Sequence, residues 1–160
     1  MALRQIRLFN DEILRKKSRT VDVVDDKIRQ ILNDMADTMY NSENGGGLAA
    51  PQVGILKRIV VIDMGQGLIK LVNPEIINYE GEQDVIEGCL SIPNVFGKLK
   101  RPAKVTVEAL NENGDKILLI GTGDLAKCFC HEIDHLDGIL FTDLVTEYGV
   151  SVAMEPKVTT

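Results

Sequence analysis

The chain has 160 residues, 44% of them hydrophobic and 26% charged, with a net charge of −6. This balance excludes disorder and coiled coil and leaves one domain, residues 1–160, with a sizeable core. An acidic chain argues against a nucleic-acid binder, and three cysteines without framework spacing argue against a disulfide-stapled secreted fold. The N-terminus lacks the apolar core of a signal peptide, and no apolar run approaches the roughly 18 residues that span a membrane. A cytosolic enzyme is expected.

Asn10 to Arg15 reads as a turn or short helical piece. From Asp25 to Tyr40, Ile28, Ile31, Leu32, Met35 and Met39 recur at spacings of three and four, an amphipathic helix starting near Asp25 or Asp26. Gly45-Gly46-Gly47-Leu48-Ala49-Ala50-Pro51-Gln52 follows. Its glycines allow close backbone approach, and a plain flexible turn is an equal reading; the Lys-Ser/Thr pair of a phosphate loop is missing.

Ile55 to Asp63 is rich in β-branched residues, Arg58 to Ile62 most clearly, and Leu68 to Val72 is a second strand, closed by Asn73-Pro74. Ile76 to Glu80 and Asp84 to Ile86 flank a turn at Gly81. Glu87-Gly88-Cys89-Leu90-Ser91 places one thiol in a glycine-adjacent turn able to present a ligand. Ala103 to Leu110 alternates as a half-buried strand, and Asn113-Gly114 turns it into Lys116 to Ile120. Thr122-Gly123-Asp124 then opens a helix that runs to about Leu136 and stops at Gly138, with Asp124 or Thr122 as N-cap. The cap role is expected to dominate for Asp124, with Lys127 as its ion-pair partner three residues on. Leu125, Phe129, Ile133 and Leu136 make one apolar stripe and the histidines take another side, so this helix is wrapped on most sides and central to the domain.

That helix carries the only two histidines, His131 and His135, with Glu132 directly after the first. Residues four apart share a helix face, so both imidazoles can reach one metal ion. A catalytic metal usually has three protein ligands and one open position. The metzincin extension fails because Phe141 stands where a third histidine belongs. Cys128 lies about 10.5 Å along the axis from His135, and Cys130 is rotated about 100° from His131. Cys89 from another element remains among the thiols, and a distant Glu, as in thermolysin-like proteases, stays open.

Three stretches, Gly45 to Gln52, Glu87 to Ser91 and His131-Glu132-Ile133-Asp134-His135, together resemble the peptide deformylases, in the family's order and spacing from the N-terminus to about Leu144. The resemblance implies an α+β fold with antiparallel β-sheets around a central helix bearing the His-Glu-x-x-His motif. It implies Cys89, His131 and His135 as ligands of Fe²⁺, which Zn²⁺ or Ni²⁺ can replace. The implied activity is removal of the formyl group from the N-terminal formylmethionine of new proteins. Attack is by metal-bound hydroxide with Glu132 as general acid/base, and the Gln52 amide and the Leu90 N–H face the oxyanion. Gly45, Gly47, Gln52, Glu87 and Gly88 are the implied substrate-binding residues.

The implied partners are a formyl-Met nascent peptide, bound extended, and the ribosome. No nucleic-acid site and no membrane are expected, the chain being a cytoplasmic monomer. Gly149 and Pro156 argue against a long terminal helix of the kind some members use for ribosome docking. Cys130, Asp124 and Lys127 depart from the family's usual Gln, Leu and apolar residue, and bordering the methionine pocket is the competing role for the last two, ranked below the cap role for Asp124. A zincin-type metalloprotease, which would not need Cys89, is the rival enzyme. A non-catalytic protein with a structural metal is the other alternative, and it would leave Glu132 without a role.

Overall fold

The structure is a computed structural model, and it describes residues 2–43 and 45–146. Among the described residues seven strands and two helices follow in order: α1 (Asp26–Tyr40), β1 (Gly47–Ala49), β2 (Ile59–Ile62), β3 (Ile69–Glu80), β4 (Gln83–Cys89), β5 (Ile92–Arg101), β6 (Lys104–Leu110), β7 (Lys116–Thr122) and α2 (Gly123–Leu136). Short 3₁₀ turns lie at Glu12–Arg15, Ala50–Val53 and Phe141–Asp143.

An antiparallel sheet of five strands, in the order β1-β2-β3-β6-β7, separates the two helices, while β4 and β5 pair as a hairpin of their own. Strand β2 shows why the sheet can serve two cores. Val60 and Ile62 face the α2 side with Phe129, Ile133 and Leu136. Ile59 and Val61, in the opposite phase, pack with Ile28, Leu32, Met35 and Met39 of α1. All four are fully buried, the pattern of a strand covered on both faces. A third cluster, Leu14, Ile92, Leu99, Leu140 and Phe141, fixes the hairpin to the 3₁₀ turns at Glu12–Arg15 and Phe141–Asp143.

Helix α1 begins as read: the Asp25 carboxylate accepts the Ile28 N–H at 3.1 Å. The alternation of β6 is also as read, Val105, Val107 and Ala109 pointing inward. Three readings change. Strand β3 does not end at Asn73-Pro74 but continues to Glu80, because a register shift between Val72 and Glu75 absorbs the proline, which cannot donate to a ladder. Asn73 takes φ 52 there and fastens Val21, accepting from its N–H at 2.8 Å and donating to its C=O at 2.9 Å. Strand β5 had no sequence signal: Pro93, Gly97 and its lysines mask an inward phase of Gly97, Leu99 and Arg101.

The third change concerns the start of α2. Thr122 occupies the N-cap position without a side-chain hydrogen bond, and Asp124 lies inside the first turn, its side chain 78% exposed. Asp124 is therefore not the cap. Its expected pairing with Lys127 is present, at 3.8 Å. The expectation about a terminal helix falls beyond residue 146, outside the described residues.

Candidate metal centre

Helix α2 lies against the sheet with its apolar stripe and turns His131 and Glu132 to a cleft of about 600 Å³, with His135 one turn further along the helix. The two imidazoles are 5.1 Å apart between ring centroids, one helical turn along one face. Cys89 closes β4, where the pairing with β5 shifts after Glu87 so that Cys89 sits opposite Ile92. This irregularity aims the thiol at the helix, and Cys89 Sγ lies 3.4 Å from His135 Nε2. One ligand atom from each of Cys89, His131 and His135 falls within 4.8 Å of the others. Neither Cys128 nor Cys130 joins them.

The surroundings suit a cation. Burial acts to lower the His131 pKa, but its contacts with Cys89 and Glu87 and the Glu132 charge hold it well above the ordinary imidazole value. The protein thus favours positive charge at that point. Burial, with the charges of His131 and Arg101, pushes His135 well below its ordinary value. A thiolate with two imidazoles is a donor set for Zn²⁺, Fe²⁺ or Ni²⁺, not for Mg²⁺ or Ca²⁺.

Behind this triad runs a network that the sequence did not disclose. His131 Nδ1 meets Glu87 Oε1 at 2.7 Å, leaving its other nitrogen to the centre. Arg101 donates to both Glu87 oxygens, at 2.6 and 3.0 Å, and to Asp134 at 2.7 Å. Burial would raise the Glu87 pKa, but Arg101 and His131 outweigh it and bring it down to about 2. Both Glu87 oxygens are engaged and the residue is buried, so it meets the centre through His131. Arg101 lies in a basic run, Lys98-Leu99-Lys100-Arg101, that reads as surface; only its phase with inward Leu99 marks it.

Glu132 is buried beside the triad, and its Oε1 has no hydrogen-bond partner among the described residues. Burial, reinforced by the Glu87 charge and opposed by His131, raises its pKa to about 7, the range of a group that both takes and returns a proton near neutrality. Gly47 makes room for it: a Cβ there would lie 2.7 Å from Glu132 Oε2 and 3.0 Å from Cys128 Sγ. The neighbouring Gln52 is 1% exposed, its Oε1 accepting from Ala49 N–H at 3.0 Å. Its Nε2 donates to Ser91 Oγ at 3.1 Å and stands 3.6 Å from Cys89 Sγ.

Of the expected site residues, Gly47, Gln52, Glu87, Gly88, Cys89, Leu90, His131 and Glu132 all line the cleft. His135 completes the triad from beneath. Gly45 is not among the lining residues; a Cβ on it would lie 2.6 Å from the Met39 carbonyl oxygen, so it serves the packing of the loop on α1. Of the two residues weighed as borders of the methionine pocket, Lys127 lines the cleft and Asp124 is not among the lining residues. Phe141, which closes off the metzincin pattern, stacks on His131 at 6.0 Å.

An antiparallel α+β fold that packs a His-Glu-x-x-His helix against a hairpin cysteine defines a metal-dependent hydrolase. The chain belongs to the polypeptide deformylase family, whose model matches residues 3–149. It is 78% identical over 148 residues to peptide deformylase 2 of Clostridium acetobutylicum, covering 92% of this chain and 99% of that one. It is 64% identical over 157 residues to the peptide deformylase of Acetivibrio thermocellus, covering 98% and 92%. Among solved structures, the Thermotoga maritima peptide deformylase superposes with a TM-score of 0.88 at 37% identity, over 91% of this chain and 99% of that one. The Ehrlichia chaffeensis peptide deformylase in complex with actinonin gives 0.88 at 35%, over 91% and 90%. The activity is metal-dependent peptide deformylation, a hydrolase reaction of protein biosynthesis. The zincin and structural-metal alternatives fall away. No helix among the described residues is long and apolar enough to cross a membrane.

Proposed function

We propose that Cys89, His131 and His135 hold the catalytic ion, Fe²⁺ with Zn²⁺ or Ni²⁺ as substitutes, and that Glu132 is the general acid/base. The observation carrying this reading is the cluster of one thiol and two imidazoles within 4.8 Å, with an unengaged, buried carboxylate oxygen beside it. When bound, such an ion acts as a Lewis acid that brings the pKa of a water towards neutrality. Glu132 takes the proton from the attacking water and returns it to the departing amine, so the base of the first step is the acid of the second. The Gln52 amide and the Leu90 backbone N–H donate to the oxyanion that develops on the formyl carbonyl. Glu87, held by Arg101, keeps His131 oriented. Gly47 and Gly88 border the reacting group and keep the approach narrow enough for a formyl substituent. The substrate is a formyl-Met nascent peptide lying extended along the cleft, like an added strand. The setting is the cytoplasm, with a monomeric enzyme that meets its substrate at the ribosome.

The test is formate release from a formyl-Met tripeptide by anaerobically purified protein of measured metal content. Formate in proportion to bound metal is expected. Cleavage of an internal peptide bond, or full metal occupancy without formate release, would reject the reading.

A further inference from the structure

The two imidazoles of the candidate centre are held by different means. His131 has a side-chain partner on its ring, Glu87 at 2.7 Å, and Arg101 holds that partner in turn. His135 is not held in this way: its Nε2 faces Cys89 Sγ at 3.4 Å, and its buried Nδ1 meets no hydrogen-bond partner among the described residues. Its direction therefore follows from the backbone that carries it. That backbone is the last turn of α2, where His135 is the last residue but one. Helix ends leave their final carbonyls without intrahelical donors and open more readily than the middle. A ligand placed there needs the end of the helix fixed from outside.

Arg58 supplies that fixing. Its own backbone is bonded on both sides, its N–H to the Arg19 carbonyl oxygen at 3.0 Å and its carbonyl oxygen to the Asn73 N–H at 2.8 Å. From this anchored position, just before β2, its mostly buried side chain crosses to the end of α2. Arg58 Nη1 donates to the Leu136 carbonyl oxygen and to Asp137 Oδ1, both at 3.0 Å, and to the Ser18 carbonyl oxygen at 3.4 Å. Leu136 directly follows His135, and its carbonyl oxygen also accepts the Ser18 N–H at 2.8 Å. A guanidinium here complements the negative end of the helix and satisfies a carbonyl that has no intrahelical donor. Gly138, with φ 75, then packs so closely that a Cβ on it would lie 2.5 Å from the Arg15 carbonyl oxygen. The end of α2 is thus set against the segment from Arg15 to Arg19, and Arg58 ties the two together.

We propose that Arg58 is a positioning residue for the metal centre, holding the last turn of α2 so that His135 meets the ion; this rests on the ligand reading above. The measurement is Zn²⁺ affinity, by competition with a chromophoric chelator. Arg58→Met should weaken binding by about tenfold or more, the scale for losing the outer support of a metal ligand. Removing a positive charge near a cation site would by itself strengthen binding, so weakening reports lost position. Arg58→Lys should recover the affinity to within about threefold, because all three contacts come from a single nitrogen that an ammonium can replace. The Co²⁺-loaded protein should show an altered visible spectrum for Arg58→Met and the parent spectrum for Arg58→Lys. Leu32→Ala, in the core against α1 on the other face of the sheet, separates this from general loosening. It should lower the melting temperature and leave Zn²⁺ affinity within about threefold of the parent. Affinity unchanged in Arg58→Met, or lowered equally by Leu32→Ala, overturns the proposal. If Arg58→Met does not fold, Arg58→Gln decides: weakening of about threefold or more is expected, and parent affinity overturns it. His135→Ala keeps the two readings apart. Parent Zn²⁺ affinity in that variant removes the ligand assignment itself, whereas loss of the ion there but not in Arg58→Met removes only the role of Arg58.

Discussion

Helix α2 and the β4–β5 hairpin face each other across one cleft and hold their functional groups by different means. The helix sets His131, Glu132 and His135 by register: five consecutive residues and one repeating backbone geometry bring them to a common side. The hairpin sets Cys89, Glu87 and Arg101 by pairing across strands and by ion pairs to α2, linking groups 14 to 46 positions apart in the chain. Removing Glu132 from the helix side should therefore abolish a chemical step and leave the frame standing. Removing one from the hairpin side should loosen the metal, the histidine or the fold.

The largest effect is expected for Cys89→Ser, which replaces a thiolate by a much poorer ligand. Activity should vanish and metal analysis should show loss of the ion, while Cys128→Ser and Cys130→Ser keep it. Metal held normally by the Cys89 variant, but lost from a Cys128 variant, would break the assignment of the third ligand to the hairpin. Next comes Glu132→Gln on the helix side, expected to cost about 10²–10⁴-fold in turnover, the range for a general acid–base. Its metal content and melting temperature should match the parent, and near-normal turnover would remove the proton-transfer role.

Arg101→Leu sharpens the comparison from the hairpin side. It leaves Glu87 and Asp134 without their shared cation, and breaking a buried pair this way costs about 3–5 kcal/mol. Thermal unfolding should show that loss. Titration with a competing chelator should show a fall in metal affinity of about 10–100-fold as His131 loses its support. If the affinity is unchanged, helical register alone orients His131. The smallest effect belongs to Asp124→Leu. With no cap bond to lose, its removal should change stability by no more than about 0.5 kcal/mol. Its kcat/KM for formyl-Met peptides should stay within about threefold of the parent, which steady-state assays can resolve.

How much of this was legible divides along the same line. Helix α2, its apolar stripe, its stop at Gly138 and the histidine pair follow from a periodicity of 3.6 residues, a property of adjacent residues that any reader of the sequence can count. The alternation of β6 and the start of α1 at the Asp25 cap are local for the same reason. The proposed ligand role of Cys89 came from resemblance, because nothing in its own neighbourhood separates a ligand from an inert thiol.

Tertiary structure alone decided the rest. Strand β5 hides its phase under lysines, a glycine and a proline, and Arg101 has the same sequence signature whether it points to solvent or into a buried network. Asp124 and Thr122 offered equal cap chemistry, and the helix started without using either side chain. Lys127 borders the cleft while Asp124, three residues earlier, does not, because only the packing of α2 against β4 fixes which part of that turn faces the cleft. Spacing along a helix is written in the chain, whereas partners across strands depend on pairing and burial among residues far apart in it.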